Sequence, residues 1–101
     1  MSDLKFLTHT QFEACLDQPF HVERENADPV ETQLIEVEKR GAESPGSHMR
    51  QAFSVIFRGP MEPLLAQRIY VLNNKTLGSL DVFLVPVGPD EQGMRYEAIF
   101  T

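Results

Sequence analysis

From Phe20 onward the chain breaks into short runs in which apolar and polar residues alternate, each stopped by glycine, proline or asparagine. Alternation with a period of two puts successive side chains on opposite faces of a strand. Turn residues at such short spacing favour hairpins and leave no room for long helices. A chain of this pattern is confined to a small, mainly β architecture.

The runs can be placed one by one. Residues 20–25 set Phe20 and Val22 against His21 and Glu23, and Asn26, Ala27, Asp28 and Pro29 are turn chemistry. Residues 30–40 predict a longer strand whose pattern slips: Val30, Thr32 and Leu34 share one register, Ile35 and Val37 the other. A β-bulge near Ile35 accounts for the slip, as does burial on both faces. Residues 41–50, small and polar, read as a loop and as the mobile part of the chain. Residues 52–58 form the cleanest strand, with Phe53, Val55 and Phe57 on one face, and Gly59 and Pro60 break it. Residues 68–72 form the next, with Asn73, Asn74 and Lys75 as its turn. Residues 80–87 are almost continuously apolar, as in a central strand covered on both faces, with Pro86 expected at a strand end or bulge. Residues 88–93 connect a hairpin, and residues 94–100 close the domain with Tyr96, Ala98 and Phe100 inward. Phe83, Tyr96 and Phe100 are expected to supply core area, and Gly59, Gly88 and Gly93 to occupy turns that favour a positive φ.

Ahead of the strands, Thr8 and Gln11 have capping-box spacing, and Leu7 with Phe12 fits a hydrophobic staple. Phe12, Cys15 and Leu16 then share one helical face, and Pro19 bars continuation. The spacing predicts a helix over residues 9–17, too short to stand without packing on the sheet. Six strands and one short N-terminal helix make a small antiparallel barrel or sandwich. At 101 residues, the chain is one domain, spanning residues 1–101.

Composition excludes several function classes. Lys and Arg number 9 against 15 Asp and Glu, a net charge of −6, which argues against nucleic-acid binding. The whole excess falls in residues 1–43, a solvated acidic face or a surface for a basic partner. The single cysteine cannot form an internal disulfide, and no apolar run reaches membrane-span length. No signal peptide is apparent at the start, so a cytoplasmic location and no membrane partner are expected.

Motifs that carry chemistry are missing. The chain has no phosphate-binding loop, dinucleotide glycine fingerprint or nucleophile elbow. His9, His21 and His48 lack metal-ligand spacing, so neither a metal nor a cofactor is expected. Cys15 lies on an apolar helix face and reads as core rather than as a nucleophile based by His9 or His21. Glu36 and Glu38 share one strand face and read as solvated surface. Asn74, Lys75 and Thr76 match a glycosylation acceptor, relevant only to a secreted protein. Arg58 has two readings: a strand-end cation solvated or paired locally, and a partly buried guanidinium bridging strands to a carboxylate such as Glu97.

Three blocks in order, residues 53–60 (FSVIFRGP), residues 83–88 (FLVPVG) and residues 93–98 (GMRYEA), resemble a family of small bacterial proteins described as a domain of unknown function. Members have similar length, and the first half of this chain matches them by hydrophobic pattern alone. The resemblance implies a bacterial source and a stand-alone domain, and a setting in a phage-tail-like or surface assembly. It implies no activity, cofactor or catalytic residue.

Two functions follow as expectations. The first is a non-enzymatic protein-interaction or assembly module, with a protein partner and a homo-oligomer formed through an exposed edge strand. The second is a small ligand- or anion-binding protein or enzyme that uses Arg58, Arg95, Tyr96 and Glu97.

Overall fold

The structure, a computed structural model, describes residues 7–40 and 52–100. The helix α1 spans His9–Glu13, and six strands follow: β1 (Pro19–Arg24), β2 (Ala27–Lys39), β3 (Phe53–Gly59), β4 (Arg68–Asn74), β5 (Gly78–Asp90) and β6 (Gly93–Phe100). They close into an antiparallel barrel in the order β1-β2-β3-β6-β5-β4. Two meanders, β1-β2-β3 and β4-β5-β6, meet along β3–β6 and again along β4–β1. The barrel, not the sandwich, is therefore the outcome. Closure also corrects the expectation of an exposed edge strand, because every strand has a neighbour on each side. The expected loop at residues 41–50, with His48, lies outside the described residues.

The interior is lined by the period-2 set. Phe53, Val55 and Phe57 of β3 face Phe100, Ala98 and Tyr96 of β6 across the ladder, and all six are buried. Val30, Thr32 and Leu34 of β2 are buried too, and the register shifts between Leu34 and Glu36. Ile35 is thus the extra residue of a bulge, and past it Val37 turns half inward. Burial on both faces is not needed to explain the slip.

β5 departs from its prediction. Leu80, Val82 and Leu84 are buried, but Phe83 is 49% exposed and Val87 40% exposed. The apolar run belongs to a strand with one solvated face, as a barrel wall requires, since nothing layers over its outside. Phe83 adds nothing to the core. Pro86 sits at a bulge, as expected, with the register shifting between Pro86 and Gly88 and Gly88 at φ +105°.

α1 covers one end of the barrel. The Thr8 backbone N–H donates to Gln11 Oε1 at 2.9 Å, the reach-back half of the capping box, and Leu7 and Phe12 are both buried. The α-helix stops at Glu13, short of the predicted residue 17. Residues 14–17 are turn, ending at Asp17 with φ +70°, whose N–H donates to the Leu34 carbonyl of β2. That tie turns the chain into β1 early and leaves Leu16 41% exposed, off the apolar face proposed for it. Cys15 is fully buried as predicted, and burial raises its thiol pKa despite contact with Thr76 and the charge of Lys75.

At the far end one glycine is required by close approach and a second is tightly packed. A Cβ on Gly93 would sit 2.2 Å from the Gly59 carbonyl oxygen, and one on Gly59 would sit 3.1 Å from Thr32 Cγ2. Gly59 has no positive φ, so the turn conformation expected for it is not adopted.

Candidate functional site

Two places at the end opposite α1 gather polar and exposed groups. The first is the tip of the β5–β6 hairpin. Arg58, near the end of β3, points its guanidinium at Asp90, the last residue of β5; Nε lies 2.9 Å from Oδ2 and Nη2 binds the same oxygen. Asp90 also accepts the backbone N–H groups of Gln92 and Gly93. The Arg58 hydrogen bonds, then the Gln92 N–H, hold its pKa down at about 2 against some opposing desolvation. The same carboxylate therefore pins the hairpin turn and ties it to β3.

Of the two readings of Arg58, the partly buried guanidinium that bridges strands to a carboxylate is the one found, but the carboxylate is Asp90 and not the Glu97 offered as an example. Glu97 lies farther along β6, opposite Ile56, with Arg40 Nη1 at 4.0 Å. The signal for Asp90 was present but indirect: only the curl of the hairpin brings a residue 32 positions away back to β3. Arg95 stands opposite Arg58 in the ladder and donates from Nε to the Gly88 carbonyl at 3.2 Å. Tyr96 does not join them. Period 2 sends it inside the barrel, where its hydroxyl accepts the Leu65 N–H at 2.9 Å. The predicted set of Arg58, Arg95, Tyr96 and Glu97 is thus divided: two arginines at the hairpin, a carboxylate farther along the outer wall, and a tyrosine in the core.

The second place is the seam between β1 and β4. The ladder there holds only two pairs, His21 with Asn73 and Val22 with Leu72. Beyond them β4 continues to Arg68 while still paired with β5, and β1 runs on into its turn. Residues 23–26 and 68–71 would face each other if the register continued, and instead they flank an opening of about 660 Å³. Pro63, Leu64, Leu65 and Ala66 of the β3–β4 connection complete its lining. Every second residue of an antiparallel strand turns its N–H and C=O toward one side. Part of the β4 backbone therefore faces the opening rather than a ladder partner.

The walls of the opening differ. On β4, Tyr70 is buried and its hydroxyl donates to the Ala66 carbonyl at 2.7 Å, and burial raises its pKa despite the charge of Arg68. Ile69 points outward and is 63% exposed, as is Leu64 at 62%. Ile69 pairs across the ladder with Phe83, so the exposed apolar surface continues onto β5. On β1 and its turn, Glu23 and Glu25 are exposed, and Arg24 donates from Nε to the Asp28 carbonyl. Arg68 lies over the Tyr70 ring, 5.5 Å from its centre. The sequence reading passed over this place, because nothing in residues 23–26 or 68–71 departs from ordinary strand and turn composition.

The other candidates take structural places. Asn74 is buried; its Oδ1 accepts the Thr76 and Leu77 N–H groups, and its Nδ2 donates to the Pro19 carbonyl. It organises the β4–β5 turn, now at residues 75–77, and is closed to a glycan. His9 and His21 lie beside Glu13 and Glu31 on the surface, and Glu36 and Glu38 are exposed. Among the described residues no group of three or more His, Cys, Asp or Glu is placed to hold a metal ion, and no helix is long and apolar enough to cross a membrane.

No curated protein and no solved structure matches the chain. A family model does, over nearly all of the barrel: residues 7–100 match the domain of unknown function DUF6916, and the chain belongs to that family.

Proposed function

We propose that this domain is a non-enzymatic protein-interaction module that takes an extended segment of a partner protein along the open edge of β4. The observation that carries this reading is the ladder that stops after two pairs while β4 runs on. A strand whose backbone groups face an opening is a template for another strand, and main-chain hydrogen bonds supply affinity in such complexes. Leu64 and Ile69 beside it offer apolar surface to the partner's side chains. The stretch offered to a partner is confined to residues 68–71 of this one strand. A bacterial cytoplasm, or attachment within a phage-tail-like or surface assembly, is a setting in which such strand addition would serve.

An anion site at the hairpin is the weaker reading, because Asp90 already neutralises Arg58 and Arg95 is engaged with a carbonyl. A displayed library of random peptides separates the two. Selected binders should shift the backbone amide resonances of residues 23–26 and 68–71. Binders that shift residues 88–95 instead, or a self-association that protects the same seam without any peptide, overturn the reading in favour of an anion site or a second copy of this chain.

A further inference from the structure

The two lips of the seam differ in chemistry, and that difference selects among partners. β1 and β2 form a hairpin whose residues 19–31 carry Glu23, Glu25, Asp28 and Glu31 against Arg24 alone. Arg24 also lines the opening, with its Nε taken by the Asp28 carbonyl, and Glu31 has His21 beside it. Glu23 and Glu25 are exposed at the opening. If the register of the two pairs is extended along β1, Glu23 stands across from Val71, and Glu25, in the turn that follows, lines the same opening as Ile69. The opening thus has exposed carboxylates on one lip and aliphatic side chains on the other. Arg68, the cation on the β4 lip, lies at the strand's start over Tyr70.

One kind of side chain satisfies both lips at once. Lysine and arginine lay an apolar stem along aliphatic surface and carry their charge beyond it. A stem over Ile69 or Val71 would bring its cation to Glu25 or Glu23. Inward positions of the same segment would meet Leu65 and Tyr70, both buried and mostly apolar. A strand sends alternate side chains to opposite faces. We infer that the occupant of the seam is an extended segment of a partner protein in which lysine or arginine alternates with apolar residues. Residues 68–71 leave room for about four of its residues, roughly 13 Å of strand. This inference rests on the seam being the binding surface and adds the chemistry of what binds.

The probes are two fluorescein-labelled ten-residue peptides, one alternating lysine with valine and one alternating glutamate with valine, read by anisotropy and by amide shifts. The lysine peptide should bind at least tenfold more tightly at low salt and shift residues 23–26 and 68–71. Exposed charge pairs are screened, so raising the salt to about 0.5 M should remove most of that preference. The double variant Glu23→Lys/Glu25→Lys alters two exposed side chains, should melt as wild type does, and should bind the glutamate peptide better than the lysine peptide. If both peptides bind equally at the seam, or the double variant keeps the wild-type preference, the inferred chemistry fails and the docking surface stands. If neither peptide moves the seam resonances, the docking surface fails and this inference with it.

Discussion

At the α1 end, Phe12, Phe20, Phe53 and Phe100 close the barrel with ring centres 4.9–6.4 Å apart. At the opposite end the buried residues are joined by polar ties, Tyr96 to the Leu65 N–H and Tyr70 to the Ala66 carbonyl, with Arg58 tied to Asp90 on the outer wall. Packed rings contribute through buried area and dispersion, and loosening one disturbs them all. Polar ties act singly, and each contributes about 1 kcal/mol net in a typical protein. The same six-stranded wall therefore has a sealed end that secures the fold and an end that tolerates an opening. The β1–β4 ladder follows this division: it is paired near the α1 end and parts toward the other. Regions of few buried apolar contacts are where low-energy opening concentrates, and binding edges are drawn from them.

The largest expected effect tests the sealed end. Phe100 is buried, stacked on Phe53 and tilted against Phe12. Phe100→Ala should cost about 3–5 kcal/mol and lower the melting temperature by well over ten degrees, at roughly 4–8 °C per kcal/mol. Calorimetry showing a drop of only two or three degrees would mean that the ring cluster does not secure the fold. The next effect belongs to the polar end. Tyr96→Phe leaves the buried Leu65 N–H without its acceptor and should cost about 1–3 kcal/mol. Hydrogen exchange should quicken in residues 60–67 and stay slow in β3 and β6; equal quickening throughout would erase the contrast between the ends.

A smaller effect, lost in acid, concerns the hairpin. The folded-state pKa of Asp90 is depressed from 3.8 to about 2, so its contribution is present above the ordinary carboxylate value and fades as pH falls toward 2. Wild type should melt above Asp90→Asn at pH 7, and the gap should close between pH 3.8 and about 2. A gap that is constant through that range would assign the difference to something other than the Arg58 pair. The smallest effect is at the seam. Ile69→Ser replaces a side chain that is 63% exposed and should shift stability by no more than about 0.5 kcal/mol. A larger loss would show that Ile69 supports the wall and is not waiting for a partner.

How much of this was legible before folding depends on the range of the interaction. The inward set of β3 and β6, the bulge at Ile35, Pro86 at an irregularity and burial of Cys15 were all readable, because each depends on side-chain period or on one residue's backbone limits. The helix end was not, because the Asp17 N–H is taken by Leu34, a residue in the next hairpin. Phe83 was misplaced because an apolar residue inside an apolar run has no local mark of which face it occupies. Asn74 was legible as a turn residue, but its burial was not, since the groups that cover its side-chain amide come from Gln18 and Pro19.

The sequence by itself determined that this chain is a small β domain with one short helix and an inward face on each main strand. Periodicity and turn chemistry act over a few residues and need no partner from elsewhere in the chain. Only the tertiary structure decided that the sheet closes into a barrel and that Arg58 meets Asp90, whereas the burial of Tyr96 already followed from its period-2 place on β6. The tertiary structure alone decided that β1 and β4 pair over two positions and then part. Those outcomes depend on how strands distant in sequence are twisted and staggered when the sheet curls shut, and side-chain order along one strand carries no record of the stagger between two.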